Sequence, residues 1–170
     1  MRLVIQRVSK AQVEIDGEVV GKIDKGFMVL CGITHDDDET KADFLARKLC
    51  NLRVFEDENE KMNLSLKDVG GKLLIISQFT LYGDAISSGN RPSFTEAARP
   101  EKAEPLYEYF IKQCEGYGID VQTGRFGADM KVSLTNDGPV TILIEKWKKH
   151  FRKLKCFFYN ILFVFFYQFL

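Results

Sequence analysis

Histidine is scarce: the 170 residues hold only His35, in an acidic stretch, and His150, in a basic one. A Ser-His-Asp arrangement needs an oriented imidazole within about 3 Å of its nucleophile, and neither position offers one. No G-x-S-x-G elbow occurs, which argues against an α/β-hydrolase. No P-loop and no G-x-G-x-x-G opening a helix occurs, which argues against phosphate-cradling and dinucleotide folds. The four cysteines, Cys31, Cys50, Cys114 and Cys156, include no C-x-x-C pair. That spacing gives neither a zinc centre nor a disulfide framework, so reduced thiols in a cytoplasmic protein are expected, with no metal and no cofactor. The opening "MRLVIQRVSKAQVEID" carries charge throughout and reads as neither a signal peptide nor a transit peptide. Repeats and low-complexity linkers are missing as well.

What is present fits one domain with a short appendage. Hydrophobic residues make up 45% of the chain, ample for a core. The formal net charge of zero hides an asymmetry. From Lys146 on, six Lys/Arg meet no acid, which leaves 18 basic and 24 acidic side chains on residues 1–145. A body with a net charge of −6 advertises no broad basic patch, so any nucleic acid would be gripped locally.

Residues 2–8 and 11–16 read as two strands. The second is followed by Asp16-Gly17, a hairpin signal leading into a strand at 18–23. The apolar run 26–33 reads as a central strand. Phe44, Leu45, Lys48, Leu49 and Leu52 then switch to helical spacing, with Thr34 and the aspartates at 36–38 suited to the helix start. A short strand is expected at 53–57 and a turn-rich connection after it. Residues 83–100 read as a long functional loop, and 101–118 as a second helix. Residues 119–145 read as strand, glycine-rich turn, strand, "NDGP" break and strand. The expected fold is α+β: a curved, barrel-like, mostly antiparallel sheet with two helices packed outside.

Two stretches carry chemistry. "KLLIISQFTLYGD" (72–84) starts as a buried strand and ends in Ser77, Gln78 and Thr80. Polar side chains at the end of a buried strand need partners. They are either satisfied by neighbouring backbone, or they line a pocket in which Gln78 reads a ligand and backbone N–H groups steady an oxyanion. No base stands near them in sequence. In "SLTNDGPVTILIE" (133–145), Pro139 cannot donate to a ladder. It marks either a hairpin turn or a rigid tip that exposes the carbonyls of Gly138 and Pro139.

"SQFTLYGD" (77–84) and "NDGPVT" (136–141), in that order in one short chain, resemble the D-aminoacyl-tRNA deacylase family. The opening "MRLVIQRVSKAQVEIDGEVVGKIDKGFMVLCGI" (1–33), "RPSF" at 91–94 and "RFGADMKVSL" at 125–134 resemble it too, so the likeness covers residues 1–145. The resemblance implies a homodimer with a barrel-like α+β fold that hydrolyses the ester between a D-amino acid, or glycine, and the terminal adenosine of tRNA. It implies that Gly138 and Pro139, joined by a cis peptide, enter the partner subunit's site and clash with L side chains. Ser77, Gln78, Phe79 and Thr80 would position the ester, with the Phe79 N–H on the oxyanion and the substrate's ribose 2′-hydroxyl helping to activate water. Phe126 and Met130 would wall the pocket, and Arg7 would hold the Gly-Pro tip. The partner would be the 3′ acceptor end of tRNA, with no DNA expected. A non-catalytic tRNA- or DNA-binding module of the same fold is the alternative.

Members of this type end near Glu145, and the tail at 146–170 departs from them. Its basic part precedes the apolar "CFFYNILFVFFYQFL" (156–170), which is shorter than a membrane span. It reads as sequence not native to the mature protein, as a loose tail, or as a contact for an anionic membrane surface or tRNA phosphates.

Overall fold

The computed structural model describes residues 1–87 and 89–146. Expectations for the tail beyond Lys146, including His150 and Cys156, lie outside the described residues. In chain order the elements are β1 (Arg2–Ile15), β2 (Glu18–Ile23), β3 (Gly26–Gly32), α1 (Glu39–Cys50), β4 (Phe55–Glu56), β5 (Met62–Leu64) and β6 (Lys72–Ser77). A 3-10 turn (Phe79–Tyr82), α2 (Pro100–Gly116), β7 (Val121–Thr123) and β8 (Lys131–Glu145) follow.

Strand β1 organises the sheet. The first half of one edge pairs with β3 and the second half with β2, while β8 runs antiparallel along the other edge. From β3 the sheet continues in parallel through β6 to β7. Those two parallel steps are the ones with long connections, through α1 and through α2, as parallel neighbours require. The sheet is therefore mixed, with its antiparallel pairings gathered around β1. It curls until β2 lies against β7: a Cβ added at Gly21 would fall 2.6 Å from the Thr123 carbonyl oxygen.

Curling gives the central strands two buried faces. On β3 and β6, Phe27, Val29, Leu73 and Ile75 pack under the helices with Leu45, Leu49 and Phe110. The intervening Met28, Leu74 and Ile76 meet Val8, Val13 and Ile23 inside the curl. An unbroken apolar run is what such a strand requires.

Two expectations about strands need correction. Residues 2–8 and 11–15 belong to one strand, Arg2–Ile15, not two, and Asp16 is already in the turn. Ser9 and Lys10 are exposed there because Val8 pairs with Asn136 and Lys10 with Thr135, so Ser9 bulges out of register. Nor does "NDGP" break the last strand or turn a hairpin. Both flanks of Pro139 pair with the same strand: Asn136 faces Val8 and Thr141 faces Gln6, so residues 137–140 bulge opposite Arg7 alone. A proline is tolerated at such a bulge because no ladder bond is asked of it.

Helix α1 is capped by Asp38, whose side chain accepts from the Lys41 N–H, rather than by Thr34. Thr34 instead forms a bridge to Ala97 and helps to dock the long loop. Beside it lies Asp37, 2% exposed. Its carboxylate accepts from the Thr34 N–H (2.8 Å) and the Lys41 ammonium (2.9 Å), and pairs with the amino group of Met1. Burial alone would raise this carboxyl, but the bonds from Lys41, the amino group and Thr34 outweigh it and hold the group below the usual carboxylate range. The amine, desolvated in the same place, sits below its ordinary value, so the acid-side dependence is assigned to the carboxylate. A depressed carboxyl stabilises the fold fully above its unfolded pKa of about 3.9, and this is lost as pH falls through the lower folded value. Asp37→Asn should therefore cost about 3 kcal/mol at neutral pH and lose less on acidification than the parent does. Urea denaturation between about pH 3 and pH 7 measures both. Parallel pH curves for the two proteins would refute the assignment.

Candidate active site

Strand β6 is buried up to Ile76 and ends at Ser77, and the chain then turns at once. The Gln78 N–H donates to the Cys31 carbonyl (2.8 Å), the last tie to β3. Phe79 to Tyr82 coil into the 3-10 turn. The first N–H groups of a helical turn have no acceptor within the turn, so the N–H groups of Phe79 and Thr80 stand at the end of a buried strand without a built-in partner there. The Gln78 side-chain amide donates to the Thr80 hydroxyl oxygen.

The far end of this turn is clamped. One guanidinium nitrogen of Arg2 donates to the Leu81 carbonyl, and another lies 3.1 Å from Glu145 at the end of β8. The guanidinium also sits 4.7 Å from the centre of the Tyr82 ring, and the Tyr82 hydroxyl donates to Glu145 at 3.4 Å. Burial, with Asp37 and Glu145 nearby, raises the Tyr82 hydroxyl and keeps it protonated as that donor. Gly32 completes the seat: any Cβ there would lie 3.0 Å from the Leu81 side chain and 3.1 Å from the Gln78 carbonyl.

The turn borders a cavity of about 610 Å³. Ser77, Gln78 and Phe79 line it, together with Phe126 and Met130 and with Ala97 to Pro100 and Tyr107 around the start of α2. Such a volume suits a small ligand with a few polar groups to orient it. Thr80 does not line the cavity, being exposed and bonded to Gln78. Cys31 lines the floor, but burial pushes its thiol up to about 12, so it carries no thiolate at neutral pH. No imidazole lines the cavity among the described residues. His35 is exposed, with its Nε2 2.8 Å from the Thr95 carbonyl oxygen. Among the described residues the one carboxylate at the wall, Asp129, is 93% exposed and pairs with Lys131.

Arg7, Gly138 and Pro139 are grouped elsewhere, and none of them lines this cavity. Arg7 is 6% exposed. Its Nε donates to the Asp137 carbonyl (3.0 Å) and another nitrogen to the Val54 carbonyl (2.7 Å), with Glu56 and the Asp137 carboxylate each 3.6 Å away. The Val140 N–H donates to the Asn136 side chain at 3.2 Å and ties the bulge across its base. The Gly138–Pro139 peptide is cis. Sequence reasoning missed Tyr107, whose hydroxyl donates to the Ile75 carbonyl (2.7 Å) while its ring lies 6.0 Å from that of Phe126. Its helical spacing marks it only as core, and nothing in that spacing tells a cavity wall from a filled interior.

The family described as D-Tyr-tRNA(Tyr) deacylase matches residues 4–145. The chain is 56% identical over 148 residues to the D-aminoacyl-tRNA deacylase of Clostridioides difficile (strain 630), covering 87% of this chain and 99% of that one. It is 59% identical over 145 residues to the D-aminoacyl-tRNA deacylase of Fusobacterium nucleatum subsp. nucleatum, covering 85% and 95%. Among solved structures, the c-Myc DNA Unwinding Element Binding Protein superposes with a TM-score of 0.80 at 39% identity, covering 87% of this chain and 100% of that one. A probable eukaryotic D-amino acid tRNA deacylase shares the fold, with a TM-score of 0.72 at 17% identity over 84% of this chain and 97% of that one. With the match running from the first strand to the end of the last, the chain belongs to the D-Tyr-tRNA(Tyr) deacylase family.

Proposed function

We propose that residues 1–145 hydrolyse the ester between a D-amino acid, or a wrongly attached glycine, and the terminal adenosine of tRNA, releasing the free amino acid and intact tRNA. The observation that carries this reading is the cavity at the end of β6, walled by Ser77, Gln78 and Phe79, in a chain of this family. The ester carbonyl lies against the 3-10 turn. The Phe79 N–H takes the developing oxyanion, a role that preorganised backbone donors fill at low cost. Ser77, Gln78 and Thr80 position the ester, and Phe126 and Met130 hold the body of the terminal nucleoside. With no imidazole at the cavity among the described residues, the ribose 2′-hydroxyl of the substrate assists the attacking water. The acyl–oxygen bond breaks, water supplies the hydroxyl of the released acid, and the ribose oxygen regains a proton.

In this reading the protein is a homodimer. Gly138 and Pro139 of one copy close the cavity of the other, where their carbonyls leave room for hydrogen or a D substituent and collide with an L side chain. Selectivity then comes from exclusion, which one rigid contact can supply. The buried, free thiols of Cys31, Cys50 and Cys114 fit a reducing cytoplasm.

The test compares D-aminoacyl-tRNA with its L counterpart. Release of the D-amino acid with the L-ester left intact is expected. Equal hydrolysis of both would sink the chiral reading. The likeness to the c-Myc DNA Unwinding Element Binding Protein favours a second reading, nucleic-acid binding without turnover. Affinity for tRNA or DNA with hydrolysis of neither ester would support that one.

A further inference from the structure

We propose that Phe94 and Arg99, on the rim of the cavity, grip the single-stranded RNA that leads into it: Phe94 by stacking on the base before the terminal adenosine, Arg99 by pairing with a linking phosphate. The proposal rests on the deacylase reading and extends it to the part of tRNA lying outside the cavity.

Size is the first argument. A cavity of about 610 Å³ takes one aminoacyl-nucleoside, and the preceding nucleotides must cross its edge. The second is what that edge displays. Phe79 and Phe94 are 58% and 40% exposed, and their rings meet edge to face at 5.3 Å. Large aromatic side chains left in water beside a cavity mark a contact surface. The Phe94 ring is seated firmly, since a Cβ at Gly83 would lie 2.9 Å from it. A fixed, partly open ring is a platform on which a base stacks whatever its identity. The third is charge. Arg99 lines the cavity, is exposed, and its guanidinium makes no hydrogen bond or ion pair among the described residues. An arginine fork free to bond suits a phosphate. On a body with a net charge of −6, a local grip of this kind is the way to hold RNA.

The experiment uses the full chain and three D-tyrosyl esters: of adenosine, of the trinucleotide CCA, and of whole tRNA. For the parent protein, kcat/KM should rise from adenosine to CCA. In Phe94→Leu, which keeps apolar packing on Gly83, and in Arg99→Gln, the ratio of CCA to adenosine should fall by about tenfold or more. The Arg99 variant should also show a shallower dependence on salt with CCA. Binding of uncharged CCA, followed by NMR, gives a readout independent of turnover. An unchanged ratio and unchanged CCA binding in both variants would overturn the proposal. So would a Phe94→Leu protein that alters only its oligomeric state, since the rim would then be covered by a second copy of the chain. CCA binding through both residues without hydrolysis of any ester would uphold the grip and overturn the deacylase reading.

Discussion

Arg7→Ala is expected to lose about 3 kcal/mol of stability and, in the same step, to hydrolyse L-aminoacyl-tRNA that the parent, in the proposed reading, rejects. The stability loss has two sources. The Val54 carbonyl, whose bond from Arg7 is fully buried, is left without its donor, at about 1–3 kcal/mol. The guanidinium and its stem leave a void in a site only 6% exposed, which adds a cavity cost of similar size. The loss stays at the low end of the about 3–5 kcal/mol typical of a stranded buried charge, because Glu56 and Asp137 are 55% and 48% exposed and return to water. The functional half follows from position. Residues 137–140 face Arg7 alone, and its Nε holds the Asp137 carbonyl at the root of the bulge. Arg7→Lys has one point of attachment where the fork has two, and should fall between parent and alanine in both measurements. Urea titration reads the first effect and the ratio of L to D turnover the second. A destabilised Arg7→Ala protein with an unchanged L to D ratio would separate Arg7 from chiral exclusion.

The second large effect lies on the substrate. D-aminoacyl-tRNA ending in 2′-deoxyadenosine, charged at the 3′ position, should be hydrolysed about 10² to 10⁴ times more slowly, the range of a lost proton-transfer partner. Thr80→Ala should stay within about tenfold of the parent, the loss of one positioning hydrogen bond. The contrast follows from the inventory of the cavity. Cys31 is an uncharged thiol, Asp129 faces solvent, His35 is engaged with the Thr95 carbonyl, and among the described residues the Thr80 hydroxyl meets only the Gln78 amide. None of these can take a proton from Thr80. Complete inactivity of a folded Thr80→Ala protein, with full activity on the deoxy substrate, would restore Thr80 as nucleophile.

How far the sequence predicted this arrangement depended on range. The β1–β2 hairpin was legible because Asp16-Gly17 supplies the positive φ of the turn, at 53° and 85°. The β3 and β6 cores were legible as unbroken apolar runs, and α1 by its spacing. The Ser9 bulge was not, because an exposed Ser-Lys pair inside a strand looks like a gap. The bulge at Pro139 was not, because its meaning depends on β1, at the opposite end of the chain, pairing on both sides of it. For the candidate site, Ser77 and Gln78 stood out as polar groups ending a buried strand. Arg2 was silent, since nothing near it in sequence foretells Leu81, Tyr82 and Glu145 gathering around one guanidinium.

The continuity of β8 sets where this family can tolerate changes of length. The Gly-Pro bulge is not a loop hung between two elements. It is a defect within a lattice whose rungs are fixed on either side, from Lys131 opposite Glu14 to Glu145 opposite Arg2. One residue added or removed between Lys131 and Asn136 would turn alternate side chains to the wrong face and shift the bulge away from Arg7. Among its described residues the 83–99 segment carries no such lattice beyond the Asp84–Ser93 and Thr34–Ala97 bridges, so it can lengthen or shorten between them. Insertions and deletions among relatives should collect there, on the rim proposed to meet RNA, while the strand that carries the Gly-Pro bulge keeps a fixed length.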